Sequence, residues 1–95
     1  MRCVFSPDAQ ADIDRIWEAT LDKWGVDQAE NYMRVLQSAS LTMGENPEVG
    51  RDCSEIRERY RKYPVGSHVM FYKIGIDKID IVRILHQHMD FDRHL

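Results

Sequence analysis

The sequence predicts an α+β fold, an αα-hairpin packed on one face of a small, mainly antiparallel sheet in the order β-α-α-β-β-β. Three observations carry that expectation. Two stretches of helical periodicity follow one another with only Gly25 and its neighbours between them. The last thirty residues, Gly66 to Leu95, contain two β-rich runs about a turn. A short β-favouring segment, Arg2 to Phe5, precedes the first helix and suits an edge strand. Ninety-five residues leave no room for a second core, so residues 1–95 are read as one domain.

Each element has its own warrant. Ser6 followed by Pro7 is an N-cap with proline at the first helical position. Ala9, Ile13, Ile16, Trp17, Leu21 and Trp24 then recur at three- and four-residue spacing, while Asp8, Asp12, Asp14, Glu18 and Asp22 fill the remaining surface. Gly25 stops this helix and Asp27 can cap the next, so the pair folds back on itself. Ala29, Tyr32, Met33, Leu36, Ser40 and Met43 form the second stripe, ended by Gly44, Asn46 and Pro47. Trp17, Trp24, Tyr32 and the methionines of this helix are most simply core. Glu48 to Ser54 reads as a polar loop, and Ile56 to Tyr63 suits a strand with Arg57, Arg59 and Arg61 on one face, although its charges leave a helix open. Pro64 and Gly66 turn into the terminal hairpin of Ser67–Ile74 and Ile79–Leu85, with turn signals over Gly75–Lys78. With both helices on one side, the opposite sheet face is expected to be open.

Charge and composition narrow the function. Apolar residues are 43% and charged residues 31%, the balance of an ordinary globular chain. The net charge of −3 argues against general nucleic-acid affinity. It is unevenly spread: residues 6–46 carry eight acids against three bases, while residues 47–95 carry nine bases against eight acids. The basic excess gathers at Arg51, Arg57, Arg59, Arg61 and Lys62, just before the hairpin. No apolar run approaches the ~18 residues that cross a bilayer, and no signal-peptide pattern precedes Ser6, so a cytoplasmic chain without membrane association is expected. Cys3 and Cys53 show no paired spacing and read as free thiols. His86, His88, Asp90, Asp92 and His94 look like a metal cluster, but a strand-to-tail transition does not bring such a spacing to one point. No metal and no cofactor are expected.

Arg83 stands out in the hairpin. Strict alternation puts Ile79, Ile81, Arg83 and Leu85 on one face, and Val82, Ile84 and His86 on the other. A guanidinium among aliphatics needs water, a carboxylate or a partner's surface. Its structural explanation is an ion pair with Asp80 or Glu58; its functional one is a partner contact. His68 and His86 sit at strand ends, where a hydrogen-bonded structural role competes with a functional one.

The runs RYRKYPVGSHVMFYKI and IDIVRILHQHMDFDRHL closely resemble the ParE toxins of bacterial type II toxin–antitoxin modules, within the RelE/ParE superfamily. FSPDAQADIDRIWEAT resembles the family's opening helix, and the resemblance covers essentially the whole chain. It implies a toxin that blocks DNA gyrase by protein–protein binding and is neutralised by a ParD-type antitoxin. Operator DNA would be bound only through the toxin–antitoxin complex, which would autoregulate transcription. The candidate antitoxin groove is the αα-hairpin surface edged by Trp17, Trp24, Tyr32 and Met33, with the open sheet as the other candidate. Arg57, Arg59, Arg61, His68, Arg83 and His86 are the candidate target or antitoxin contacts, since a basic cluster attracts an acidic partner segment.

The RelE-like branch cleaves messenger RNA on the ribosome, which needs cations for the phosphorane and an acid and a base. Arg57, Arg59, Arg61 and Arg83 could supply charge and His86 a proton. The tail HQHMDFDRHL, however, has no tyrosine after Tyr72, where RelE-like toxins usually carry one. A binding toxin without catalytic residues is therefore the reading, with the ribonuclease second and a non-toxic antitoxin binder third.

Overall fold

The computed structural model describes residues 1–95. β1 (Arg2–Phe5) leads into α1 (Pro7–Trp24) and α2 (Val26–Glu45), then β2 (Arg51–Asp52), β3 (Arg61–Val65), β4 (His68–Ile74), β5 (Lys78–His86) and α3 (Phe91–His94). The sheet order is β1-β5-β4-β3-β2. β1 runs parallel to β5 and every other pairing is antiparallel. The expected α+β fold and its order stand, with a two-residue strand and a terminal helical turn added.

Helix α1 starts as the sequence predicts: the Ser6 hydroxyl accepts the Ala9 N–H at 3.0 Å and Pro7 opens the first turn. The α1–α2 junction is tighter than expected. Gly25, at φ +93°, ends α1 and begins α2, so Asp27 lies inside the first turn of α2 and caps nothing. Ala9, Ile16, Leu36, Ala39 and Met43 pack between the helices and the sheet residues Met70, Tyr72, Ile79, Ile81 and Ile84. Each large apolar side chain buried there contributes about 1.5–3 kcal/mol. Gly44 must be glycine for a packing reason, because a Cβ would lie 2.2 Å from the Met1 carbonyl oxygen.

Alternation along β5 breaks. Phe71 pairs with Arg83 and Tyr72 with Ile81, which leaves Val82 as an extra residue in a β-bulge. The bulge inverts parity, so Ile79, Ile81 and Ile84 all face the helices while Leu85 faces away. The expected grouping of Leu85 with Ile79 and Ile81 fails for that reason.

The second sheet face is not open. Cys53, Val69, Phe71 and Leu85 form a smaller core there, covered by Ile56, Tyr60, Phe91 and Leu95. The expected strand over residues 56–63 is instead a series of turns from Ser54 to Arg59, with Arg59 in the left-handed region at φ 69°. Ile56 and Tyr60 turn inward onto the cluster of Cys53, Val69, Phe71 and Leu85 rather than pairing as a strand. β3 begins only at Arg61 and includes Pro64, so the turn into β4 is Gly66–Ser67 alone. Proline is tolerated because β2 pairs only with Arg61 and Lys62, leaving Pro64 on a free edge. On this face α3 is held by Phe91, whose ring meets Phe71 edge-on at 4.9 Å.

Candidate functional site

Where β1 ends at Phe5, β5 continues without its neighbour, and side chains complete the ladder. The Ser6 hydroxyl donates to the Val82 carbonyl at 2.7 Å, and the Asp12 carboxylate accepts the Ile84 N–H at 2.9 Å. Asp12 is only 3% exposed, so the surface role expected for it is overturned. Its carboxylate is gripped at both oxygens by Arg83, Nε to Oδ2 at 2.8 Å and Nη2 to Oδ1 at 2.9 Å, and Arg15 adds a further contact. Burial pushes the Asp12 carboxyl up, but the Arg83 hydrogen bonds, the Ile84 N–H and both guanidinium contacts prevail and hold it below the usual carboxylate range. The Asp12 hydrogen bond in turn raises Arg83 above its ordinary value. Arg83 Nη1 donates to the His94 carbonyl at 2.7 Å. The partner of Arg83 is thus Asp12, not Asp80 or Glu58, and Asp80 pairs with Lys78 instead.

Beside this pair, the structure brings His68 and His86 together. Their rings meet edge-on at 5.4 Å across the β4–β5 pairing. The Tyr32 hydroxyl lies 2.6 Å from His68 Nδ1 and accepts the Ser67 N–H at 3.2 Å, tying α2 to the start of β4. Burial lowers the His68 pKa, and the neighbouring His86 lowers it further, so its ring is neutral near neutrality. His86 Nδ1 accepts the His88 N–H at 3.2 Å. Ser67, His68, Arg83, His86 and the last turns of α1 enclose a cleft of about 640 Å³, whose walls include Arg15, Lys23, Trp24 and Met89.

The three arginines before the hairpin do not converge. Arg57 donates to the Asp92 carboxylate at 2.9 Å and to the Asp92 and Leu95 carbonyls, fastening α3. Arg59 occupies the left-handed turn, and Arg61 donates to the Gly50 and Glu48 carbonyls. They diverge because the segment is a turn rather than a strand. The four groove candidates also separate. Met33 lines a cleft of about 760 Å³ with Ile13, Leu36, Leu41 and the β1 residues Cys3 and Phe5. Trp24 belongs to the histidine cleft and is 66% exposed, not core. Tyr32 is half-buried behind His68, and Trp17 lines neither cleft. No three metal-ligating side chains converge on a point. Cys3 and Cys53 are free thiols on opposite faces of the sheet. No helix is long and apolar enough to cross a membrane.

Sequence reasoning found Arg83, His68 and His86 but missed Asp12, Arg15 and Lys23. The signal for Asp12 is its position three residues after Ala9 and four before Ile16, inside the buried stripe.

A short αα-hairpin packed on a mixed five-stranded sheet, with two side-chain-lined clefts, defines a small α+β protein. Residues 3–91 match the family described as ParE toxin of type II toxin-antitoxin system, parDE. The chain is 54% identical over 95 residues to Toxin ParE1 of Mycobacterium tuberculosis strain H37Rv, covering 99% of this chain and 97% of that one. It is 41% identical over 87 residues to Toxin ParE1 of Caulobacter vibrioides, covering 92% and 90%. A solved structure, the chromosomal ParDE TA system from P. aeruginosa, superposes with a TM-score of 0.79 over 90% of this chain and 95% of that one, at 16% identity. The chain belongs to the ParE toxin family of type II toxin–antitoxin systems.

Proposed function

We propose that this toxin acts by binding DNA gyrase rather than by catalysis, and that a ParD-type antitoxin neutralises it. The observation that carries binding over ribonuclease chemistry is the commitment of Arg83. Its guanidinium is spent on Asp12 and the His94 carbonyl, while Arg57, Arg59 and Arg61 lie at three different places. RNA cleavage needs several cations and a proton-transfer group about one phosphate, and the four arginines expected to supply that charge, Arg57, Arg59, Arg61 and Arg83, are each held by other groups or placed apart.

The antitoxin is assigned to the cleft along β1. β1 is an edge strand with one neighbour, and the wall beside it carries Ile13, Met33, Leu36 and the 61%-exposed Leu41. An apolar groove next to an unpaired strand edge suits a segment that orders as it binds, by helix-in-groove burial or strand addition. The complex would be the species that binds operator DNA and autoregulates transcription.

A two-arm assay tests the reading. Toxin free of antitoxin is added to gyrase with plasmid, and separately to a translating ribosome extract. Blocked supercoiling with intact messenger RNA is the expected result. Cut messenger RNA with unimpaired gyrase overturns it and makes Arg83 and His86 catalytic candidates.

A further inference from the structure

The cleft between α1 and the β4–β5 ends differs in chemistry from the β1 groove. Asp12 is the single acid among its lining residues, and Arg83 and Arg15 both contact it. Arg15 and Lys23 therefore leave an excess of positive charge in a chain whose net charge is −3. The Arg15 side chain is 65% exposed, so it remains within reach of a ligand. Lys23 Nζ sits 5.3 Å from the Trp24 ring centroid, which fixes cation and indole together at the end of α1. Met89 is exposed on the opposite rim. Trp, Arg and Met are the residue types enriched where interfaces carry their energy.

We infer that this cleft is the target-gripping surface of the toxin, and that it takes an acidic segment of gyrase, a carboxylate meeting Lys23 and Arg15 and an apolar side chain lying against Trp24 and Met89. The inference rests on the gyrase reading above and gives it a place. Charge complementarity selects the occupant. The exposed Met89 and Trp24 beside the cations favour a peptide, which offers apolar side chains between its carboxylates, over a continuous phosphate track. The β1 groove offers the opposite chemistry, apolar with one flanking strand edge, and suits the antitoxin.

Lys23→Glu and Trp24→Ala both change exposed side chains at the last turn of α1, with Arg51→Glu on β2 as a control away from the cleft. The concentration that half-inhibits gyrase supercoiling should rise about tenfold or more for the first two and stay unchanged for the control. Thermal melts confirm that each variant is folded. Undiminished inhibition by both cleft variants overturns the inference, as does loss of antitoxin binding alone. A fluorescein-labelled peptide of alternating Glu and Leu provides an arm independent of gyrase. Saturable binding that Lys23→Glu weakens about tenfold supports the cleft chemistry, whereas no binding, or tighter binding of a single-stranded oligonucleotide, overturns it. If the wild-type toxin leaves gyrase untouched, the gyrase reading and the target assignment both fail, and the peptide arm then decides the chemistry of the cleft alone.

Discussion

Asp12 and Arg83 form the most consequential residue pair in the chain. Asp12 joins α1 to β5 at a point where the sheet has lost its edge neighbour, and it satisfies a backbone N–H and a guanidinium at once. Asp12→Ala strands both, and breaking one side of a buried pair costs about 3–5 kcal/mol. Asp12→Asn keeps an acceptor for the Ile84 N–H and should lose less, about half as much. Urea midpoints of the two variants check the order, and equal losses would mean that the hydrogen bond to Ile84 contributes nothing. Arg83 was legible in the sequence because charge interrupts an aliphatic strand, but its partner was not. Asp12 is one of five acids on α1, and only its phase within the stripe separates it from the rest.

His68 gives a second residue-scale test. It is held below its ordinary pKa by burial and by His86 on β5, with Tyr32 of α2 on its Nδ1 and Asp12 of α1 opposing the shift weakly. The unfolded chain therefore binds a proton that the folded chain refuses. The contribution of His68 is intact above pH of about 6.5 and is lost as pH falls through the lower folded value. His68→Gln retains a hydrogen-bonding side chain for Tyr32 and should flatten the stability slope in that window, measured by denaturant titrations between neutral and mildly acidic pH. An unchanged slope would assign the titration elsewhere.

At the scale of elements, α3 is the least secured part of the fold. It covers the second core through Phe91 and Leu95 and is fastened by Arg57 and by the Arg83 bond to the His94 carbonyl. The Arg57–Asp92 pair is largely exposed, and such a pair is worth at most about 1 kcal/mol. Arg57→Ala should leave the global unfolding midpoint nearly unchanged while speeding hydrogen exchange at the Leu95 amide, whose acceptor is the Phe91 carbonyl. A matching fall in global stability would show α3 to be integral to the cooperative unit. This coverage was hard to read from sequence. Residues 53–60 mix charge and apolar residues without a clean period, and only Cys53, Ile56 and Tyr60 turn to the sheet. The Val82 bulge left no signal at all, because a single extra residue in an aliphatic run is invisible until its partner strand is placed. The helix start at Ser6–Pro7 and the β4–β5 hairpin were legible because capping and turn chemistry are local.

For the whole molecule, the two clefts lie on different elements: one runs along β1 and α2, the other between the end of α1 and the β4–β5 ends. Their chemistries differ, apolar beside a free strand edge in one case and cationic with an exposed indole in the other. With the antitoxin on the β1 groove and the target on the histidine cleft, as proposed above, the two grips would be separate and neutralisation would not need to copy the target's contacts. The β1 groove can be tested without touching the fold. Leu41 is 61% exposed, so Leu41→Glu should shift the unfolding midpoint by less than about 0.5 kcal/mol. In the complex the same carboxylate would be buried against an apolar segment without a partner, which should weaken antitoxin binding about tenfold or more. Calorimetric titration of antitoxin into wild type and variant reads the difference directly. Equal affinities would place the antitoxin elsewhere, and the histidine cleft would then have to serve it.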